Sequence, residues 1–151
     1  MTEGGHAAAS EGADYLAEMA FCLLICETEA MNSTVLILPG IGNSGPEHWQ
    51  SLWEQTNPSF VRVQQRDWDH PVCSEWRDAL EQTVAPVGGN VVLAAHSLAC
   101  LLVAHWAAKT HLRIQGALLV APPNREGPNF PREAIGFSPL LLKPLPFPSI
   151  V

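Results

Sequence analysis

Three near-continuous apolar runs along the chain have the length and composition of β-strands that are buried on both faces of a sheet. They span residues 34–38, 90–95 and 115–121. Residues 60–64 alternate apolar and polar side chains and predict a further strand, and residues 147–151 predict the beginning of a fifth. The hydrophobic pattern therefore predicts a sheet to which these segments contribute.

The segments between these strands carry apolar residues at the spacing of amphipathic helices. Predicted helices span residues 47–55, 74–84 and 98–109, with Ser74 as the expected N-cap of the second. Strands that alternate with helices form right-handed βαβ units. The expected fold class is therefore α/β, a three-layer fold with a parallel sheet covered by helices on both faces.

Residues 1–30 differ from the rest of the chain in composition. They hold six of the 15 acidic residues, and no Lys or Arg occurs before Arg62. We expect this segment to be a disordered leader or a mis-assigned start, with Met31 as the natural first residue and one domain over residues 31–151. The apolar stretch at residues 20–26 follows acidic residues and is too short to cross a membrane, so neither a signal peptide nor a membrane anchor is expected.

The net charge of the chain is −7, but from residue 31 onward acidic and basic residues nearly balance. Because the sequence contains no basic cluster, a nucleic-acid partner is not expected. The four cysteines have neither metal-like nor disulfide-like spacing. This spacing favours reduced thiols and a cytoplasmic location. No metal or organic cofactor is expected, because the chemistry that the motifs below indicate needs none.

The most informative motif is the pentapeptide Ala95-His96-Ser97-Leu98-Ala99, between an apolar strand and a predicted helix. A strand, a sharp turn with Ser at its tip and small residues on both sides, and a following helix together form a nucleophile elbow. Ser97 is therefore the candidate catalytic nucleophile. The alternative is that Ser97 only caps the helix, which Ser does well. Both small flanking residues are Ala, where Gly is usual.

The glycine-rich loop after the first strand is a second candidate element, because acyl transfer needs backbone N–H groups that face the developing oxyanion. We expect the oxyanion hole to comprise the N–H of Leu98 and those of the loop residues Ile41, Gly42 and Asn43. The alternative is a plain glycine-rich turn. No Gly-Lys-Ser/Thr sequence ends the loop, which disfavours a flavodoxin-like nucleotide binder.

The general base and its carboxylate partner are harder to place than the nucleophile. In hydrolases with such an elbow, the chain order is Ser, then Asp or Glu, then His. After Ser97 the only carboxylates are Glu126 and Glu133, and no histidine follows His111. The other histidines of residues 31–151 are expected to be packed or surface residues rather than bases: His48, His70, His96 and His105.

Several motifs occur together in the chain: Leu38-Pro39-Gly40, Trp49 with Trp53, Trp68-Asp69-His70-Pro71 with Trp76, Ala95 to Cys100, and Val120-Ala121-Pro122. Their combination, from Val35 to Val151, resembles the small serine hydrolases related to retinoblastoma-binding protein 9 and YdeN, of alpha/beta-hydrolase fold. The resemblance implies that Ser97 is the nucleophile and that the loop after the first strand helps to form the oxyanion hole. Relatives of this kind continue to an Asp and then a His near the C-terminus. The chain is therefore expected to be a truncated member that lacks the last strand or strands and the last helix.

The sequence leaves two functions open. The first is a serine hydrolase that acts on a small-molecule ester or amide through an acyl-enzyme at Ser97, with the activity of this chain in doubt because the acid and the histidine are absent. The alternative is a non-catalytic binding protein on the same fold, with a protein partner in place of a substrate.

Overall fold

Strands and helices alternate along the chain, as the hydrophobic pattern predicts. The structure is a computed structural model that describes residues 33–139 and 143–151, and in these two ranges no helix is long and apolar enough to cross a membrane. The expectations for residues 1–30, and for a natural start at Met31, fall outside the described residues. In chain order the elements are β1 (Thr34–Leu38), α1 (Trp49–Thr56), β2 (Phe60–Arg62), α2 (Cys73–Val84), β3 (Val91–His96), α3 (Leu98–Ala107), β4 (Gly116–Val120) and β5 (Ser149–Ile150).

The strands of the described chain form one parallel sheet in the order β2-β1-β3-β4-β5. The pairing of β1 with β3 runs from Thr34 opposite Val91 to Leu38 opposite Ala95. The predicted beginning of a fifth strand is confirmed as β5, which pairs with β4. Because all strands are parallel, their carboxyl ends and the loops that follow them lie along one edge of the sheet.

Side chains of the central strands are buried on both faces of the sheet. On one face, Leu36 and Leu93 belong to the main hydrophobic core together with Trp76 of α2 and Trp106 of α3. Side chains at alternate positions, which point to the other face, are at most 2% exposed: Val35, Ile37, Val92, Ala94 and Leu118. Burial on both faces explains why these strands read as continuous apolar runs rather than as alternating ones.

The start of α2 is decided by a tertiary contact, and the predicted N-cap is wrong. Val72 occupies the N-cap position without a side-chain hydrogen bond, so that Ser74 lies inside the first turn of the helix. The backbone N–H of Cys73 donates to the carbonyl of Ile135 at 2.9 Å. A distant segment of the chain therefore satisfies one of the N–H groups that the start of a helix leaves without a partner in the helix.

Leu102 on α3 offers a test of core packing, because its side chain is fully buried against the sheet. We expect Leu102→Ala to lower the free energy of unfolding by about 2–5 kcal/mol, since the truncation leaves a cavity as well as removing apolar contacts. The matched control is Leu52→Ala on α1, where the side chain is 47% exposed. Its expected effect is below about 0.5 kcal/mol. Chemical denaturation measures both values, and equal losses would contradict the assignment of the core.

Candidate active site

Three non-glycine residues in the described part of the chain have a positive φ, and each follows the carboxyl end of a strand. Asn43 (65°) lies in the loop after β1, Ser97 (54°) follows β3, and Ala121 (52°) follows β4. Asn adopts such angles fairly readily, but Ser and Ala do so only where the surrounding structure enforces them, and this strain concentrates at functional sites. The edge of the sheet where β1, β3 and β4 end is therefore the candidate site.

Ser97 stands at the tip of the turn between β3 and α3, at φ 54° and ψ −123°. Its backbone N–H donates to the Val120 carbonyl at 2.9 Å, and its own carbonyl accepts from the Cys100 N–H at 2.9 Å. The hydroxyl makes no capping hydrogen bond to α3, and the residue is partly exposed. The geometry is that of a nucleophile elbow, and side-chain capping does not account for the serine.

The loop after β1 lies directly against this elbow. A Cβ added at Gly40 would lie 3.0 Å from the Cβ of Ser97, 3.1 Å from the carbonyl oxygen of His96 and 3.3 Å from the backbone nitrogen of Leu98. Only a residue without a side chain fits this approach comfortably. Gly40, at the start of the loop, and the first N–H of α3 therefore lie close together.

Hydrogen bonds within the protein divide the predicted oxyanion-hole donors into two groups. The N–H of Gly42 donates to the Trp68 carbonyl at 2.8 Å, and the N–H of Asn43 closes a turn within the loop at 3.2 Å. These bonds argue against a part for Gly42 and Asn43 in an oxyanion hole. The N–H groups of Ile41 and Leu98 have no acceptor among the described residues, and they stay the candidate donors.

Similarity to known protein families identifies the family to which this chain belongs. A family model described as serine hydrolase matches residues 35–151, which is most of the chain. The chain belongs to the serine hydrolase family. The resemblance predicted from the sequence motifs is thereby confirmed. No curated protein matches the chain significantly.

Two solved structures resemble this member of the serine hydrolase family. A protein described as a YdeN-like hydrolase from Pectobacterium atrosepticum is 24% identical, with 89% of this chain and 67% of that chain covered and a TM-score of 0.68. The ydeN gene product of B. subtilis is 23% identical, with 60% and 52% covered and a TM-score of 0.47. The first likeness establishes the α/β fold. The chain thus spans about two thirds of the length of the first structure and about half of the second.

Aromatic rings pack beside the elbow of this serine hydrolase family member. His48, the N-cap residue of α1, contacts His96 with ring centroids 4.7 Å apart, and the ring of Trp49 lies 6.3 Å from that of His96. His48 also accepts, at Nδ1, a hydrogen bond from the Gln50 N–H. These contacts agree with the packed roles expected for His48 and His96.

The carboxylate and histidine that serine hydrolases of this kind place after the nucleophile do not come together in the described residues. Glu126 and Glu133 are both exposed, and no ion pair within the described ranges joins either of them to a histidine. On α3, the Nε2 atom of His105 lies 3.0 Å from the Phe137 carbonyl. Across the described residues, no group of three or more His, Cys, Asp or Glu side chains could hold a metal ion.

Two polar residues that the sequence pattern does not single out hold the loop after β1. Arg62, at the end of β2, pairs with a glutamate of α1 and donates to Oδ1 of Asn43 at 2.8 Å and to the Ser44 carbonyl at 3.0 Å. Gln50 of α1 is fully buried. The sequence gives little signal for Gln50, because the other buried residues of α1 are Ser51 and Trp53 and so include a second polar side chain.

Cys100, three residues after Ser97, is not a second candidate nucleophile. Burial raises the pKa of the Cys100 thiol to about 12. The thiol donates to the Val120 carbonyl with a separation of 3.3 Å. Since the thiolate is the reactive form, this cysteine stays protonated and inert at neutral pH.

Slow alkylation of Cys100 is therefore expected in the folded protein. Iodoacetamide at pH 8 should modify this thiol at least about 100-fold more slowly than it does after unfolding in urea, because the thiolate fraction falls as the pKa rises. Mass spectrometry of the peptide that contains Cys100 measures the rate in both states. Similar rates in the two states would show that the thiol is neither buried nor protonated as described.

Proposed function

We propose that this chain carries the nucleophile and the oxyanion hole of a hydrolase for small-molecule esters or amides. The observation that carries the proposal is the strained turn at Ser97. Its φ is 54°, and its hydroxyl makes no capping hydrogen bond to the helix that follows. The N–H groups of Ile41 and Leu98 are the proposed oxyanion donors, because the neighbouring loop amides already have acceptors in the protein.

In the proposed reaction, Oγ of Ser97 attacks the carbonyl carbon of the substrate, and the new Oγ–C bond forms as the hydroxyl proton leaves. The two backbone N–H groups donate to the carbonyl oxygen while it carries negative charge. The C–O or C–N bond to the leaving group then breaks, and the leaving group takes up a proton. Water hydrolyses the acyl-enzyme, which releases the acid and restores Ser97.

Proton removal from Ser97 is the slow part of this scheme, because neither Glu126 nor Glu133 is joined to a histidine in the described residues. We propose that solvent takes the proton. Serine hydrolases from which a member of the catalytic triad is removed keep about 10³–10⁴-fold acceleration over water, through the oxyanion hole and substrate binding alone. The expected activity of this chain is therefore measurable but low.

A non-catalytic binding protein on the same fold is the second candidate, with a protein partner, and the same missing ion pair favours it. The two candidates differ in the reactivity of Ser97. A fluorophosphonate probe, followed by identification of the modified residue, tests the proposal: labelling at Ser97 supports the hydrolase, and no labelling supports the binding protein. For either candidate we propose a cytoplasmic location, on the spacing of the cysteines.

A further inference from the structure

The side chain of Gln50 joins the ends of two neighbouring strands. Its Nε2 donates to the carbonyl of Leu38, the last residue of β1, and to the carbonyl of Ala94 in β3, at 3.0 Å in each case. Gln50 is 0% exposed. Both donor hydrogens of the amide are thus used inside the protein, at the edge of the sheet where Ser97 lies.

The carbonyl oxygen of the same side chain holds the loop after β1. Oε1 of Gln50 accepts a hydrogen bond from the Ser44 hydroxyl at 2.7 Å. The Ser44 carbonyl in turn accepts from the Ser51 hydroxyl at 3.1 Å, and the Ser44 N–H donates to Oδ1 of Asn43 at 2.8 Å. One buried amide therefore connects the far end of the loop to the strands from which the loop and the elbow emerge.

The near end of this loop is held in a different way. Gly40 packs its backbone against Ser97 and Leu98, as the 3.0 and 3.3 Å distances from an added Cβ show. Ile41 lies between this contact and Ser44. The position of its N–H therefore depends on both ends of the loop.

We infer that Gln50 is a positioning residue, which acts through the loop to keep the Ile41 and Leu98 N–H groups aligned in the oxyanion hole. An apolar side chain of the same length would fill the space, but it would remove one hydrogen bond from each of the two strand carbonyls and the acceptor of the buried Ser44 hydroxyl. The inference rests on the proposed function for its catalytic consequence. Its structural consequence, the order of the loop, can be measured without any activity.

The decisive variant is Gln50→Met, which keeps the length of the side chain and removes all three hydrogen bonds. The matched control is Gln55→Met, the same change at an exposed position of the same helix. Amide hydrogen exchange of the peptide that covers residues 41–44 is measured first, since Gly42, Asn43 and Ser44 donate hydrogen bonds there. We expect exchange about tenfold faster in Gln50→Met, with α3 unchanged and no effect of Gln55→Met.

The second readout is the rate at which a fluorophosphonate labels Ser97. We expect a loss of about 10- to 100-fold in Gln50→Met, because displaced donors no longer meet the developing charge. The preference for an oxygen ester over the matching thionoester should also fall, since it reports on donors to the oxyanion and not on folding. Gln55→Met should keep both the rate and the preference.

Each outcome bears on a separate claim. Unchanged loop exchange in Gln50→Met overturns the positioning role, and faster loop exchange with unchanged labelling overturns its link to the oxyanion hole. Exchange that rises equally throughout the protein shows general destabilisation and also overturns the inference. If the unsubstituted protein is not labelled at all, the proposed function fails, and loop exchange alone then decides whether Gln50 positions the loop.

Discussion

Replacing Ser97 by Ala is expected to abolish covalent labelling of the protein by a fluorophosphonate probe. The probe forms a bond between its phosphorus and a nucleophilic oxygen, and Ser97 presents the only hydroxyl at the strained turn between β3 and α3. Intact-mass measurement follows the reaction, and peptide mapping identifies the modified residue. The matched control is Ser59→Ala, which removes an exposed hydroxyl far from the elbow in sequence and should label as the unsubstituted protein does.

The pH dependence of this labelling reports on the base. With solvent as the proton acceptor, the rate should rise steadily with pH, because the concentration of hydroxide rises. A plateau just above neutral pH would instead reveal a histidine base. Labelling that persists in Ser97→Ala would reject Ser97 as the nucleophile, and an unlabelled parent protein would favour the binding protein.

Replacing Gly40 by Ala is expected to slow labelling of Ser97 by about 10- to 100-fold. The new methyl group would lie 3.0 Å from the Ser97 Cβ and 3.3 Å from the Leu98 nitrogen, so that the loop and the elbow must separate by a few tenths of an ångström. That separation displaces the loop donors from the nucleophile. The crowding should also lower the free energy of unfolding by about 1–3 kcal/mol.

The control for this variant lies in the same loop. Gly45→Ala makes the same chemical change where an added Cβ meets no atom within 4 Å, and it should leave both labelling and stability nearly unchanged. Stability is measured by chemical denaturation, and the rate by intact-mass measurement under conditions in which both variants are folded. Equal labelling rates for the two variants would show that the loop does not control the nucleophile.

Much of the candidate site could be predicted from local sequence. The strand before Ser97, the small residues around it and the apolar helix after it are neighbours in the chain, so their pattern alone indicates an elbow. The sequence cannot distinguish among the four expected oxyanion donors, because an N–H group shows its partner only in three dimensions. The N–H of Gly42, for example, donates a hydrogen bond to the carbonyl of Trp68, which lies in the loop after a different strand.

The sequence by itself determined the alternation of strands and helices, the family and the position of Ser97 at a turn, because periodicity and turn chemistry act over a few residues. The tertiary structure decided which amides stay available at that turn. It also decided that α2 starts at Cys73 and that a buried glutamine joins β1 to β3. These outcomes depend on hydrogen bonds between residues far apart in the chain, and no local pattern of side chains encodes such pairings.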